Sequence, residues 1–167
     1  GGANQVRTTT SASTEPPNGL DATLVIDGPL AGTGDAVTYT YTTHGELLTE
    51  QNSLGHSVTY SNHNGLGQAG RVVGANGETT EYTYDARGRV TKVRQILAGT
   101  NADTDFAYEA SGLLASRIDP DGITTAYTYD AARRLTSEKR NAAAVLASGA
   151  TFEEIRYTYD AASNVTA

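Results

Sequence analysis

The chain has 167 residues and a formal net charge of −7, with 12 basic residues against 19 acidic ones. That length allows one domain of ordinary size, and the acidic balance argues against a nucleic-acid-binding surface. There is no Cys, Met or Trp, which removes disulfides, thiolate metal sites and cysteine nucleophiles, and no apolar run of the about 20 residues that a membrane-spanning helix needs.

Leu, Ile, Val and Phe together number only 29. So few aliphatic residues often accompany disorder, but disordered chains combine them with high net charge and few aromatics. Ten tyrosines and 25 threonines predict instead an ordered protein, rich in β-formers and with a thin core. No basic-then-apolar signal peptide opens the chain. The missing Met, and last residues Asn164-Val165-Thr166-Ala167 that stop in mid-pattern, predict a piece of a longer polypeptide.

Residues 1–33 form a lead-in. Strands are expected over Val6–Thr14 and Thr23–Asp27, around the turn signal Pro16-Pro17-Asn18-Gly19. The segment lacks an aromatic pair and reads as a decayed repeat. Residues 34–167 divide into six copies of one unit, each built on an aromatic pair two residues apart. The pairs are Tyr39 and Tyr41, Tyr60 and Asn62 (half-filled), Tyr82 and Tyr84, Phe106 and Tyr108, Tyr127 and Tyr129, and Tyr157 and Tyr159. All ten tyrosines stand in these slots, and the last copy is truncated. After the second aromatic comes Asp85, Asp130 or Asp160, with Glu109 a near match and Thr42 a departure. Four residues after it stands Gly45, Gly88 or Gly112, replaced by Arg133 and Ser163 in two copies. Six residues after it comes Leu47, Val90, Leu114, Leu135 or Val165.

The unit has a direct physical reading. Aromatics two apart project from one face of a strand. An aspartate can accept hydrogen bonds from backbone N–H groups just ahead and begin a turn, and Gly88 supplies a positive φ at no steric cost. A second strand then returns from Arg89. Gly34, Gly55, Gly77 and Gly122, five residues before the first aromatic, mark the turn at the other end. Each copy is thus a β-hairpin that needs its neighbours for stability. The Ala-rich stretch 141–149 reads as a loop or one short helix.

Gly77-Glu78-Thr79-Thr80-Glu81-Tyr82-Thr83-Tyr84-Asp85-Ala86-Arg87-Gly88-Arg89-Val90 resembles the YD repeat of the RHS (rearrangement hot spot) family, which includes bacterial polymorphic toxins, insecticidal toxin-complex subunits and the animal teneurins. The resemblance extends over about residues 20–167. It implies an all-β fold in which tandem YD hairpins form a continuous curved antiparallel sheet, a segment of a spiral shell. It further implies a non-catalytic wall that encloses a C-terminal toxin before delivery by a bacterial secretion system, and so a secreted or cell-surface location. The expected partners are neighbouring repeats of the parent chain and the enclosed toxin, with edge-to-edge self-association open to an isolated segment. An alternative is a module that binds glycans or cell-surface proteins through an exposed Tyr-rich sheet.

No catalytic, cofactor or metal residue is assigned. His44, His56 and His63 read as solvated turn residues. Asn101-Ala102-Asp103-Thr104-Asp105 has alternate-oxygen spacing, but Phe106 and Gly112 break the calcium-loop pattern, so a polar hairpin loop is expected. Asp119-Pro120 resembles part of the family's self-cleavage motif, whose remaining elements are missing, and no cleavage is assigned. The repeat-defining residues are expected to be structural: Tyr39, Tyr41, Tyr60, Tyr82, Tyr84, Asp85, Gly88, Phe106, Tyr108, Tyr127, Tyr129, Asp130, Tyr157, Tyr159 and Asp160.

Overall fold

The computed structural model describes residues 10–14, 22–28, 34–142 and 152–166. The expectations for residues 6–9, for Pro16-Pro17-Asn18-Gly19 and for residues 143–149 lie outside these. All regular structure among the described residues is β-strand, and within each unit strand order in the sheet follows strand order in the chain. The chain divides into two units, residues 1–82 and 83–167.

The first unit contains β1 (Thr10–Thr14), β2 (Thr23–Asp27), β3 (Val37–Tyr41), β4 (Leu47–Asn52), β5 (Ser57–Ser61), β6 (Arg71–Val73) and most of β7 (Thr79–Tyr84). Each of these strands runs antiparallel to the next. The second unit contains β8 (Val90–Ile96), β9 (Ala102–Tyr108), β10 (Leu114–Ile118), β11 (Ile123–Tyr129), β12 (Leu135–Ala142) and β13 (Glu153–Arg156). It too is an antiparallel meander. Asn141 and Ala142 extend β12 rather than opening a loop.

Register sorts the side chains onto two unlike faces, because directly opposed residues share a face and chain neighbours do not. In the first unit Leu24 opposes Tyr39, and Tyr60 opposes Val72. Thr40, Thr49 and Thr59 oppose one another on the other face, where the Thr40 and Thr49 hydroxyls are hydrogen-bonded. In the second unit Tyr108 opposes Leu114 and Tyr129 opposes Leu135, so tyrosine and aliphatic residues again share a face. Lys92 opposes Asp105 and Arg94 opposes Asp103 on the other.

The sheet is one layer thick within each unit. Among the described residues only Ala36 and Thr125 count as buried, and no side chain is fully enclosed. The core is thinner than even the low aliphatic content suggests, since a single sheet covers neither of its faces.

Among the described residues, turns at both ends of the hairpins share one form, which the turn between β8 and β9 does not take. In nine five-residue turns the first N–H donates to the fifth carbonyl and the fourth N–H donates back to the first carbonyl. The turns run over residues 42–46, 52–56, 64–68, 74–78, 85–89, 109–113, 119–123, 130–134 and 160–164. The fourth residue of every one has positive φ, glycine in seven, Arg133 and Ser163 in the others. The second aromatic then pairs with the aliphatic after the turn, Tyr41 with Leu47, Tyr108 with Leu114 and Tyr129 with Leu135, and a bulge follows in the return strand.

The second copy differs. Its turn begins at Asn64, one residue later than the Tyr60 spacing suggests, and Asn62 takes the left-handed conformation at φ 56°. His63, rather than Asn62, therefore directly precedes the turn, where the other copies place their second aromatic. Asn62 is an inserted residue, and its carbonyl accepts from the Gly70 N–H across the hairpin.

A Cβ on Gly122 would meet no neighbour within 4 Å, yet φ there is +79°, whereas Gly99 is equally open without a positive φ. Gly122→Ala is expected to lower unfolding free energy by about 1–2 kcal/mol through backbone strain alone. Gly99→Ala is expected to leave stability unchanged or slightly raised, and urea denaturation of the two variants measures the contrast.

Candidate functional site: the joint between repeats

The residues that recur in sequence meet where one hairpin joins the next. All ten tyrosines and Phe106 are half-buried, lying on the sheet rather than inside it. In the second unit the second aromatic of three copies reaches back to its predecessor. The hydroxyl of Tyr108 donates to the Val90 carbonyl at 2.9 Å, that of Tyr129 to the Leu114 carbonyl at 2.9 Å, and that of Tyr159 to the Leu135 carbonyl at 2.6 Å. Each acceptor is the aliphatic that follows the preceding copy's turn. Each phenol thus satisfies a backbone carbonyl of the preceding copy with its tip.

Asp85 and Asp130 hold the turns that precede the Val90 and Leu135 carbonyls, Asp160 caps the last turn, and the turn before Leu114 begins with Glu109. Asp85 Oδ1 accepts from the N–H groups of Arg87 and Arg89 at 2.9 and 3.0 Å, and Gly88 completes the turn at φ 76°. Asp130 Oδ1 accepts from Arg134 N–H at 2.9 Å, and Asp160 Oδ1 from Ala162 and Asn164 at 2.9 and 2.8 Å. Thr42, Asn52 and Asn64 perform the same two-bond capping with a different side chain.

Arginine supplies a contact that sequence reasoning did not assign. The second carboxylate oxygen of Asp85 holds the Arg89 guanidinium, with Nε at 2.7 Å and Nη2 at 2.6 Å. That guanidinium lies 4.3 Å from the centre of the Tyr108 ring in the next copy. Asp130, Arg134 and Tyr159 repeat the arrangement, with Arg134 4.6 Å from the ring centre. Arg87 and Arg133 reach from either side to carbonyls of the intervening turn, Ala110 and Ser111. The Gly-Arg-Val ending of the third copy was the available signal, but a side chain that crosses to the following repeat leaves no trace in spacing.

In the first unit the first aromatics gather along the sheet. Burial, followed by Glu50 and the phenols of Tyr39 and Tyr82, pushes the Tyr60 hydroxyl above its ordinary pKa. The Tyr82 N–H donates to the Gly70 carbonyl at 2.8 Å, and in the second unit the Tyr157 N–H donates to the Thr136 carbonyl at 2.9 Å. Tyr129 titrates above the usual range because of burial, then Glu109 and Tyr127, so its phenol keeps its proton over a wide pH range.

Elsewhere several acidic groups are engaged in ion pairs. Asp103 and Asp105 lie in strand β9 and not in a polar loop, which corrects the expectation for residues 101–105. Across the strand pair, Arg94 binds Asp103 at 2.7 Å and Lys92 binds Asp103 and Asp105 at 3.2 and 2.9 Å. Asp119 begins a turn and pairs with Arg117. His44 lies within one turn and His56 ends another, while His63 precedes a third. No cluster of three His, Cys, Asp or Glu suited to a metal ion occurs among the described residues.

Hairpins of one design, joined by side chains that each reach one copy along, define a tandem β-hairpin repeat protein. Residues 63–99 and 108–145 match the family model RHS Repeat, so the chain contains two adjacent RHS-repeat segments. No curated protein matches it by sequence. Among solved structures, TcdB2-TccC3 without its hypervariable C-terminal region is similar at TM-score 0.61 and 19% identity, over 93% of this chain and 9% of that one. The TcdB2-TccC3-Cdc42 structure is similar at TM-score 0.53 and 18% identity, over 91% of this chain and 7% of that one. The Photorhabdus luminescens Tc holotoxin pore with a mutated TccC3 gives 0.50 and 16%, over 95% and 11%. The chain thus spans about a tenth of the length of these proteins, and at such identities the likeness concerns the fold.

Two measurements test the joint. Tyr129→Phe keeps the ring and removes the donor to Leu114, and is expected to cost about 0.5–1.5 kcal/mol in a denaturant melt. The second concerns acid. The Arg89 side chain foremost, then the Arg89 N–H, holds Asp85 below its ordinary pKa of 3.8. The Arg134 N–H does the same for Asp130, and the Asn164 side chain for Asp160. Carboxylates depressed in the folded state stabilise fully above the unfolded value and lose that contribution as pH falls through the folded values. The melting temperature is therefore expected to hold between about pH 7 and 5 and to drop below about pH 4. Asp85→Asn should flatten part of that drop.

Proposed function

We propose that this chain is a wall segment of an RHS-repeat shell, which encloses a C-terminal toxin or effector until delivery and performs no reaction itself. The observation that carries this reading is the one-layer, neighbour-latched sheet. Such a sheet gains area copy by copy, without a closed core of its own, which suits a wall and not a catalytic domain. The fold likeness to TcdB2-TccC3 supports it. On this reading the chain acts outside the cell that makes it, its partners are further repeats and the enclosed domain, and Tyr39 through Tyr159 and the turn aspartates are structural. The engagement of the Tyr108, Tyr129 and Tyr159 hydroxyls in joints favours packing over glycan stacking, since those polar tips are already used.

Limited proteolysis of the parent polypeptide tests the proposal. A C-terminal domain inside a closed wall is expected to resist protease that cuts the same domain expressed alone. Tyr129→Ala, which opens a joint, should shorten that protection several-fold. A C-terminal domain digested equally fast in both settings contradicts enclosure. Saturable glycan binding by this chain, lost in Tyr82→Ala, would favour the binding module instead.

A further inference from the structure

The joint between the first two aromatic hairpins lacks the groups that fill its counterparts. Where Arg89 and Arg134 stand, as the fifth residue of their turns, the first copy has Glu46. Where Tyr108 and Tyr159 directly precede the next turn, the second copy has His63, which is shorter and has no para hydroxyl. Leu47 occupies the position whose carbonyl accepts a phenol in three later copies, and no phenol among the described residues donates to it.

The result is an open cleft of about 710 Å³ between the turns 42–46 and 64–68. The corresponding place beside Arg89 and Tyr108 leaves only about 320 Å³. Glu46, Leu47, His44, Asn64 and Leu66 line the larger cleft. The chemistry of the lining is one-sided. One Glu46 carboxylate oxygen accepts from Thr42 Oγ1 at 3.1 Å, and among the described residues no Lys or Arg forms an ion pair with the group. Asn64 Oδ1 is committed to its own turn N–H groups, and its amide to Gln68. Leu66, 65% exposed, offers apolar surface beside this carboxylate.

We propose that this cleft is a docking site for an arginine side chain presented by a partner polypeptide. An arginine has an apolar stem to lie along Leu66 and Leu47 and a fork of N–H donors for Glu46. It would supply from outside the guanidinium that Arg89 and Arg134 supply internally at the other joints. Charge complementarity sets the partner's sign: a lone carboxylate beside apolar surface accepts a cation and repels an acidic chain. The inference stands apart from the shell reading, since it rests on the missing Tyr and Arg alone.

The test is a titration of the isotopically labelled chain with N-acetyl-arginine methylamide at pH 7.5, followed by backbone amide shifts. Saturable shifts confined to residues 42–47 and 63–68 are expected. The citrulline analogue, which has the same shape without the charge, should bind about tenfold more weakly, as should the arginine probe to Glu46→Gln. Glu46→Arg, which provides the guanidinium from within the chain, should abolish the response. Absence of saturable shifts in these turns, or equal responses to arginine and citrulline in the native chain, would overturn the proposal.

Discussion

A β-sheet one layer thick has no interior, so what holds one hairpin to the next must lie in the plane of the sheet or on its surface. The tyrosine hydroxyl that reaches back to a carbonyl of the preceding copy answers that need. Strand pairing alone supplies backbone hydrogen bonds, which water can replace at modest net cost. The phenol adds a directional bond to the carbonyl of the neighbour's aliphatic residue. The contact recurs at Tyr108, Tyr129 and Tyr159, so the repeats are coupled by one geometry and not by an accumulation of unrelated contacts.

The rest of the motif serves this contact. Aspartate fixes the turns before the Val90 and Leu135 carbonyls, and a positive-φ residue lets each turn close in five residues. Arginine joins the two parts, held by the aspartate of its own copy and lying over the tyrosine of the next. The turn at 109–113, which has no arginine of its own, receives Arg87 from one side and Arg133 from the other. Such nearest-neighbour coupling is the logic of repeat arrays, where extent is gained by adding copies. It agrees with the likeness in fold to segments of TcdB2-TccC3.

The hairpins, the shared tyrosine face and the turn positions were legible in the sequence because they follow local rules: period two along a strand, Asp or Asn before a turn, Gly where φ is positive. What crosses between copies was not legible. Nothing in the spacing says that the Tyr129 hydroxyl bonds to Leu114, or that Arg89 faces forward and Tyr108 backward. The second copy misled for a similar reason. Asn62 stands where an aromatic is expected, but a left-handed residue there shifts the turn by one and gives His63 the place before it. Asp103 and Asp105 looked like a loop because of their spacing alone, while the opposing Lys92 and Arg94 make them strand residues.

Amide hydrogen exchange measured on the native chain and on Tyr129→Phe tests most directly whether copies are held through their joints. Neighbour coupling predicts faster exchange in β10 and β11, on the two sides of the lost bond, with β8 and the distant strands β2 and β3 left at native rates. Unchanged exchange in β10 and β11, or an equal rise across every strand, would contradict the claim that stability passes from each hairpin to the next through its tyrosine.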